Sequence, residues 1–552
     1  MENNCFNKNT RKSEEDNTST IKKRVRKKAT SKLDSDTNMF STKPDKEDWT
    51  TSINRSNPKR DIYCNIFLLV SVVGIIAASI IIINEIDLKR NKFTDEFTVE
   101  KPKYWVYSHR LDVRNKSGLL KHVHLVFERV GYEETTNHTP WDILWSHDFP
   151  FTYLQNVLLK LQPHQRVNHF PGTGYITNKV LLATTDSVYI PKAFKLPKNK
   201  TEFLKYAKNN KNSVFVEKNI NHRGVSLKNI SDINVDNEEI FVQEYIQNPL
   251  LVDGHKFDIG VYVVITSIDP LRAYWYKGDV LFRYCPTKYY PFDPKNLDKY
   301  VIRDDYLPTW EVPSLAQPHS ALGHGMMDAF ETYVKSRGKN TSTMWKEIQK
   351  AIAEILVLKE HHIVAAVKRY PSSDNFFEMM RFDLIVDENL KVYLLEANMS
   401  PNLSSAHFLP NRLLYEQLLY NLFSITGTSH MTTNKGINAS DKVAAKDMIS
   451  SHKNIAVFGE QCQTICNDDC VTLELCKLCK PCLDKSMRNS LLKAHTEYLH
   501  RGDFRRLVPP AMSPVDDPED LSNSLPKNLT PKNRLQYLWY QGKCNQDITW
   551  CT

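Results

Sequence analysis

Cysteine is nearly missing from the first 460 residues of this 552-residue chain, with eight of its eleven cysteines lying beyond that point. Most of the chain must therefore hold by an apolar core rather than by crosslinks. No segment recurs at a fixed period, which excludes a solenoid or propeller array. A large excess of one sign of charge is also absent: the net value is +9 over 552 residues, and no nucleic-acid partner is expected. The first 60 residues contain very few large apolar side chains. They carry Lys22-Lys23-Arg24 and Arg26-Lys27-Lys28 among Ser, Thr, Asn and Asp, so residues 1–62 read as a disordered basic tail, solvated or in contact with anionic lipid or protein. The chain as a whole is 41% hydrophobic and 11% aromatic, which excludes disorder for most of the rest.

Residues 66–83, IFLLVSVVGIIAASIIII, form an uncharged run. As a helix this run is roughly 27 Å long at about 1.5 Å per residue, close to the hydrocarbon thickness of a bilayer. It starts far from residue 1 and no small-residue cleavage pattern follows, so residues 63–85 are expected to be a single membrane anchor. Near flanking charges do not decide orientation: Lys46, Arg55, Lys59 and Arg60 face Lys89, Arg90, Lys92, Lys101 and Lys103 across the span. The more distant basic clusters favour a cytosolic tail.

Cys462, Cys466, Cys470, Cys476, Cys479 and Cys482 form a dense run, and Cys544 and Cys551 close the chain. An even, dense set suits disulfides in an oxidising compartment. The Cys476-x-x-Cys479-x-x-Cys482 spacing also suits zinc, though no regular Cys/His pairing accompanies it. Asn-x-Ser/Thr sequons occur at Asn115, Asn137, Asn199, Asn229, Asn340, Asn438 and Asn528, and also at Asn398 and Asn402. A glycan on Asn398 would spoil the acidic site described next, which favours the cytosolic side for this region.

Residues 376–405, FFEMMRFDLIVDENLKVYLLEANMSPNLSS, read as two apolar strands joined by a turn. Asp383 lies in the first, and Glu396 and Asn398 end the second. Strand side chains alternate, so 396 and 398 share a face. Two carboxylates and an amide oxygen together make a hard site suited to Mg²⁺ and nucleotide phosphates. A surface hairpin with solvated acids fits the same residues, and on them alone both readings stand.

From 141 to about 426, strand-like and helix-like patterns alternate. Strands are expected at 214–217, 240–245, 261–266 and 271–276, and helices at 202–209, 345–358 and 413–423. Residues 86–140, including HVHLVFERVGY (122–132), read as a stalk and first strands. Residues 427–460 read as a polar linker, and 461–552 as a Cys-bearing module too poor in apolar residues to hold without crosslinks.

Four segments resemble the tubulin tyrosine ligase-like family of ATP-grasp ligases: VNHFPGTGYITNKVLL (167–182), VFVEKNINHRGVSL (214–227), FVQEYIQNPLLVDGHKFDIGVYVVITSIDPLRAYWYKGDVLFRY (241–284) and the 376–405 stretch. The resemblance covers about 140–425. It implies an α+β fold with an ATP-grasp-like core at 141–426, behind a transmembrane helix and ahead of the Cys-rich tail. It further implies that ATP and Mg²⁺ are cofactors and that an amino acid, glutamate before tyrosine, is joined through an acyl phosphate to tubulin or another acidic-tailed protein. Lys179 and Lys218 would contact phosphates, with Arg223 and Gly224 in the covering loop. Gln243, Tyr245 and Ile246 would line the base pocket, and Lys256 and Asp258 would meet base and ribose. Asp383, Glu396 and Asn398 would hold magnesium, Glu396 also acting in catalysis, and Arg283 would face the acceptor or the amino-acid carboxylate.

The chain departs from the family in two places. The step from Lys218 to the loop glycine is one residue longer, with Glu217 beside the lysine, and Gly224-Val225-Ser226 lacks a second loop glycine. More seriously, the family has Arg where KFDIG places Gly260. Losing a guanidinium at a carboxylate-binding point costs about 2–4 kcal/mol unless another replaces it, and Arg272 and Arg381 are the candidates. A membrane-anchored pseudoligase, which binds nucleotide or a partner without turnover, is the alternative these departures support.

Overall fold

The computed structural model describes residues 58–95, 101–220, 224–323, 325–429, 450–466, 470–471, 473–515, 525–526 and 528–552. Most of the tail expected at 1–62, most of the linker expected at 427–460, Asn438 and Arg223 lie outside the described residues. The chain divides into two compact units, 1–96 and 97–552.

In the first unit the helix Pro58–Asp95 contains one stretch, Ile66–Asp87, long and apolar enough to cross a membrane, with a mean hydropathy of 3.1. Its apolar side chains are exposed all round, Phe67 and Ile75 alike, a distribution that only a lipid or protein surround would cover. Ser71 and Ser79 each donate Oγ–H to the carbonyl four residues back, at 2.8 Å, so neither hydroxyl is left unpaired in an apolar medium.

Among the described residues the second unit holds three sheets. The first is parallel, in the order β2-β1-β3-β4, from β1 (Lys103–Tyr107), β2 (Glu133–Glu134), β3 (Ile143–Ser146) and β4 (Arg166–Val167). The run at 122–132 is not a strand. Its core is the helix Lys121–Arg129, because Val123, Val126 and Phe127 recur at helical spacing and are buried together. Phe127 stacks on Phe423 of the helix Asn411–Ile425 with ring centroids 4.3 Å apart, so packing overrides the β-leaning composition.

The second sheet is antiparallel, β5-β8-β6-β7, from β5 (Ala193–Lys195), β6 (Val214–Asn219), β7 (Val225–Asn229) and β8 (Ile240–Glu244). The third has eight strands: β9 (Leu251–Val252), β10 (His255–Ile268), β11 (Leu271–Tyr276), β12 (Leu281–Tyr284), β13 (Leu307–Pro308), β14 (Glu378–Val386), β15 (Val392–Asn398) and β16 (Phe504–Val508). β10 is its spine. One edge takes β14, and the other takes β12 along its first half and β11 along its second. Asp253 and Gly254, with φ of 50° and 86°, make the tight β9–β10 turn that suits an Asp-Gly pair. The helix Ser342–Val367 packs on this sheet and runs well beyond the expected 345–358.

The C-terminal segment is built into the same body. β16 extends the large sheet by pairing with β11. Arg272 on β11 is buried against Glu497 of the helix Lys485–Leu499, Nε–Oε2 2.8 Å and Nη2–Oε1 3.0 Å, and its Nη1 donates to Ser490 Oγ and Gln536 Oε1. Asn533, on the helix Pro531–Gln546, donates to both Glu360 oxygens and accepts from the Leu271 N–H. Four disulfides, 462–479, 466–476, 470–482 and 544–551, staple the segment, so Cys476, Cys479 and Cys482 go to three different partners rather than to one zinc ion.

Removing one member of a buried, multiply bonded ion pair strands the other charge. Glu497→Gln is expected to cost about 3–5 kcal/mol, read as a lower denaturant midpoint, and pairing it with Arg272→Met should recover most of that loss.

Candidate active site

The sheet register assembles the site. On β10, residues 256, 258, 260 and 262 share one face by alternation. Asp258 lies opposite Arg283 of β12, and Gly260 opposite Asp383 of β14. Asp383 in turn lies opposite Glu396 of β15, and Arg381 opposite Asn398. A bulge between Asp383 and Leu384 leaves Leu395 as the extra residue on β15. It brings Leu395, Glu396 and Asn398 together to one cavity, a re-aiming that bulges commonly perform beside functional sites.

That cavity, about 430 Å³, lies between the second and third sheets. All of the sequence-derived site residues that are described line it: Lys179, Lys218, Gly224, Gln243, Tyr245, Ile246, Lys256, Asp258, Arg283, Asp383, Glu396 and Asn398. Sequence reading missed the apolar contributors Val216, Ile385 and Leu395 and the segment Tyr300–Ile302. No local pattern distinguishes these from ordinary core positions.

At the acidic end, Arg283 donates Nε and Nη2 to the two oxygens of Asp258, at 2.9 and 2.6 Å, and Nη2 also reaches Asp383 Oδ2 at 2.9 Å. Arg381 grips Asp383 with Nε and Nη2 at 2.6 and 2.9 Å, and Asn398 Nδ2 donates to Asp383 Oδ2 at 3.0 Å. Burial works to raise the Asp383 carboxyl, but the Arg381 and Arg283 guanidiniums outweigh it and hold it below the usual range, hence ionised. At Asp258 burial wins over Arg283 and pushes the carboxyl up. Arg283 is therefore already engaged by two aspartates.

Gly260 has a geometric reason. A Cβ there would lie 2.9 Å from Arg381 Cδ and 3.3 Å from its Nε, closer than the Arg381 stem tolerates. The guanidinium that residue 260 does not supply thus enters from the neighbouring strand. Arg272, the other candidate, is spent on Glu497 in the C-terminal packing.

Three lysines converge from separate elements. Lys179 opens the helix Lys179–Ala183, whose cap Asn178 accepts from Val180 N and Leu181 N, and its Nζ lies 3.3 Å from Glu396 Oε1. Lys218 of β6 donates to Gln243 Oε1 at 2.9 Å. Lys256 donates to the Tyr300 carbonyl at 2.8 Å and lies over the Tyr245 ring. Burial pushes the Lys218 ammonium down to about 8, Lys179 and Lys256 add repulsion, and Glu396 offsets part of it; burial also lowers Lys256. Buried, mutually repelling ammonium groups are what an incoming polyanion would relieve. Gly224, with φ of +84° and open space around it, takes a backbone conformation that side chains disfavour.

Asp383, Glu396 and Asn398 offer oxygen donors only, which fits Mg²⁺. Asp383 is held by two arginines and Asn398, and Glu396 by Lys179, so a cation would exchange with those partners. Among the described residues no group of three or more His, Cys, Asp or Glu side chains forms a metal cage, so a cation held here would need further oxygen ligands from outside the protein, as Mg²⁺ commonly takes.

Two sheets facing one another across a cleft, with lysines reaching in and carboxylates on paired strands, define a mixed α/β fold of ATP-grasp-like layout. The model of the tubulin-tyrosine ligase family matches residues 157–435, and the chain belongs to that family. The probable tubulin polyglutamylase ttll-15 of Caenorhabditis elegans is 37% identical over 444 residues, 79% of this chain and 84% of that protein. The Mus musculus tubulin polyglutamylase TTLL6 is 27% identical over 53% of this chain and 38% of its own length. The Homo sapiens tubulin monoglutamylase TTLL4 is 26% identical over 50% and 24%. The chain thus spans well under half of the last two relatives.

An anion beside Lys218 would raise its pKa from about 8. Nucleotide binding at pH 8 is therefore expected to take up protons, and affinity to fall as pH rises through that value. Calorimetry in buffers of different ionisation enthalpy reads both.

Proposed function

We propose that the chain is an ATP- and Mg²⁺-dependent ligase that joins an amino acid, glutamate by analogy with its relatives, to a carboxylate on an acidic protein tail. Tubulin is the acceptor those relatives' names give. The observation that carries this reading is the convergence of lysines, guanidiniums and an oxygen-donor set on one cavity.

Each wall has a task. Val216, Ile385 and Leu395 give an apolar slot for the base, beside Gln243, Tyr245 and Ile246, while Lys256 and Asp258 meet base and ribose. Lys179 and Lys218 would neutralise phosphates, and Gly224 would belong to the loop that covers them. Asp383, Glu396 and Asn398 would hold Mg²⁺. The Lys179–Glu396 pair is partly exposed, 41% and 35%, so it opens at little cost and frees each group for its own ligand. An oxygen of the acceptor carboxylate would take the terminal phosphoryl group of ATP, ADP leaving, and a bound Mg²⁺ would supply positive charge against the phosphates. The amine of the second substrate would then attack the acyl carbon of the acyl phosphate, inorganic phosphate leaving and one amine proton passing to a base, to give the amide. Arg283 would face the acceptor or the amino-acid carboxylate, giving up a bond to Asp258 or Asp383 to offer its planar fork, and Arg381 would take the place of the arginine missing at 260.

Glu396→Gln is expected to abolish glutamate transfer to tubulin or a glutamate-rich peptide, by at least about 100-fold, with thermal stability retained. Equal transfer by the two proteins would refute the ligase reading. Arg381→Gly should raise KM for the amino acid by roughly 30- to 1000-fold, the kinetic equivalent of about 2–4 kcal/mol. Adding Gly260→Arg to that variant should recover most of the loss, whereas Gly260→Arg alone collides with Arg381 and should not help.

A further inference from the structure

We infer that the body following the apolar helix lies on the non-cytosolic side of a membrane, in an oxidising compartment, and carries N-linked glycans at Asn115, Asn137, Asn229, Asn340, Asn402 and Asn528. Three independent observations point this way.

The first is the cysteine pairing. All eight cysteines beyond residue 460 are joined as four disulfides, with Cα–Cα distances of 4.6–5.6 Å. Four such bonds in one segment do not persist against a cytosolic thiol pool. Cys285 is buried and unpaired, and burial pushes its thiol up to about 12, so it is a poor partner for thiol–disulfide exchange. Each disulfide forms as two thiols give up two protons and two electrons to an oxidised dithiol oxidoreductase of the compartment.

The second is the span itself, Ile66–Asp87, with Lys22-Lys23-Arg24 and Arg26-Lys27-Lys28 on its N-terminal side. The near flanks are balanced, four basic residues against five, so these more distant clusters set the orientation: they favour the cytosol and put the chain after the span on the opposite side.

The third is where the sequons fall. The six named asparagines are exposed, and none lines the cavity. Asn398, whose modification would spoil the site, is only half exposed, spends its Nδ2 on Asp383 and is followed by Met399-Ser400-Pro401. Six sequons thus stand open to a glycan, while Asn398, where one would do harm, and Asn199, whose Nδ2 donates to Glu202, are partly buried. In the transfer, an asparagine Nδ2 bonds to C1 of an oligosaccharide, a polyprenyl diphosphate leaves, and one amide proton passes to a base.

If the ligase reading holds, the acceptor meeting this cavity is an acidic segment of a protein in that compartment, and cytosolic tubulin, the acceptor the relatives' names give, would not reach it. That clause alone rests on the proposed function.

The test uses the full chain expressed in eukaryotic cells. Peptide-N-glycosidase is expected to increase its gel mobility, with Asn→Gln at each of the six positions removing one step. A maleimide-polyethylene glycol probe on the denatured chain should leave the eight C-terminal cysteines unlabelled until they are reduced. No glycosidase shift, a glycan on Asn17 or Asn54 of the tail instead, or labelling of those cysteines without reductant would each overturn the inference. Neither readout uses catalysis, so a glycosylated, disulfide-bonded chain that transfers no amino acid supports the inference and refutes only the ligase reading.

Discussion

The Asp383 carboxylate is the hub on which the site turns. Its two oxygens take donors from Arg381, Arg283 and Asn398, and Arg283 carries the same network on to Asp258. One cluster thereby ties β10, β12, β14 and β15 together at the edge of the cavity. Buried charges are costly unless each is paired and hydrogen-bonded. Here every member has a partner, so the network holds the strands in one register. A slip of one residue would send the set to the opposite face.

The same network explains Gly260. Read alone, a glycine in the middle of a fourteen-residue strand is a defect, since it weakens the strand and deletes a charge. In the sheet it is the space that the Arg381 stem requires. A guanidinium stands one strand away, at Arg381, bonded to Asp383. The opposite wall is tuned differently: burial lowers both Lys218 and Lys256, and at Lys218 the charges of Lys179 and Lys256 add to it.

The C-terminal segment is more than an appendage. Its strand completes the large sheet, and Arg272–Glu497 and Asn533–Glu360 fasten its helices to strands and helix that also frame the site. The disulfides close loops in a part of the chain that also buries an apolar cluster of its own, Leu475, Leu491, Leu538 and Trp539 among it, and they limit the freedom of its unfolded state. Redox conditions therefore bear on the segment that buttresses β11 and the helix Ser342–Val367.

Much was legible in the chain itself. The apolar run at 66–83, the strands at 214–217, 240–245, 261–266 and 271–276, and the amphipathic helices at 345–358 and 413–423 all follow from periodicity and appear at those places. Asp383, Glu396 and Asn398 announced themselves as polar residues where apolar strands have no use for them. What sequence could not supply was anything set by long-range register or packing. The helix at 121–129 is decided by Phe127 meeting Phe423, nearly 300 residues away. The split between Arg381, which enters the site, and Arg272, which does not, depends on which strands pair and which helix docks behind them. Local pattern fixes the period of side chains along one element, whereas only the folded sheet decides which charges are brought within reach of one another.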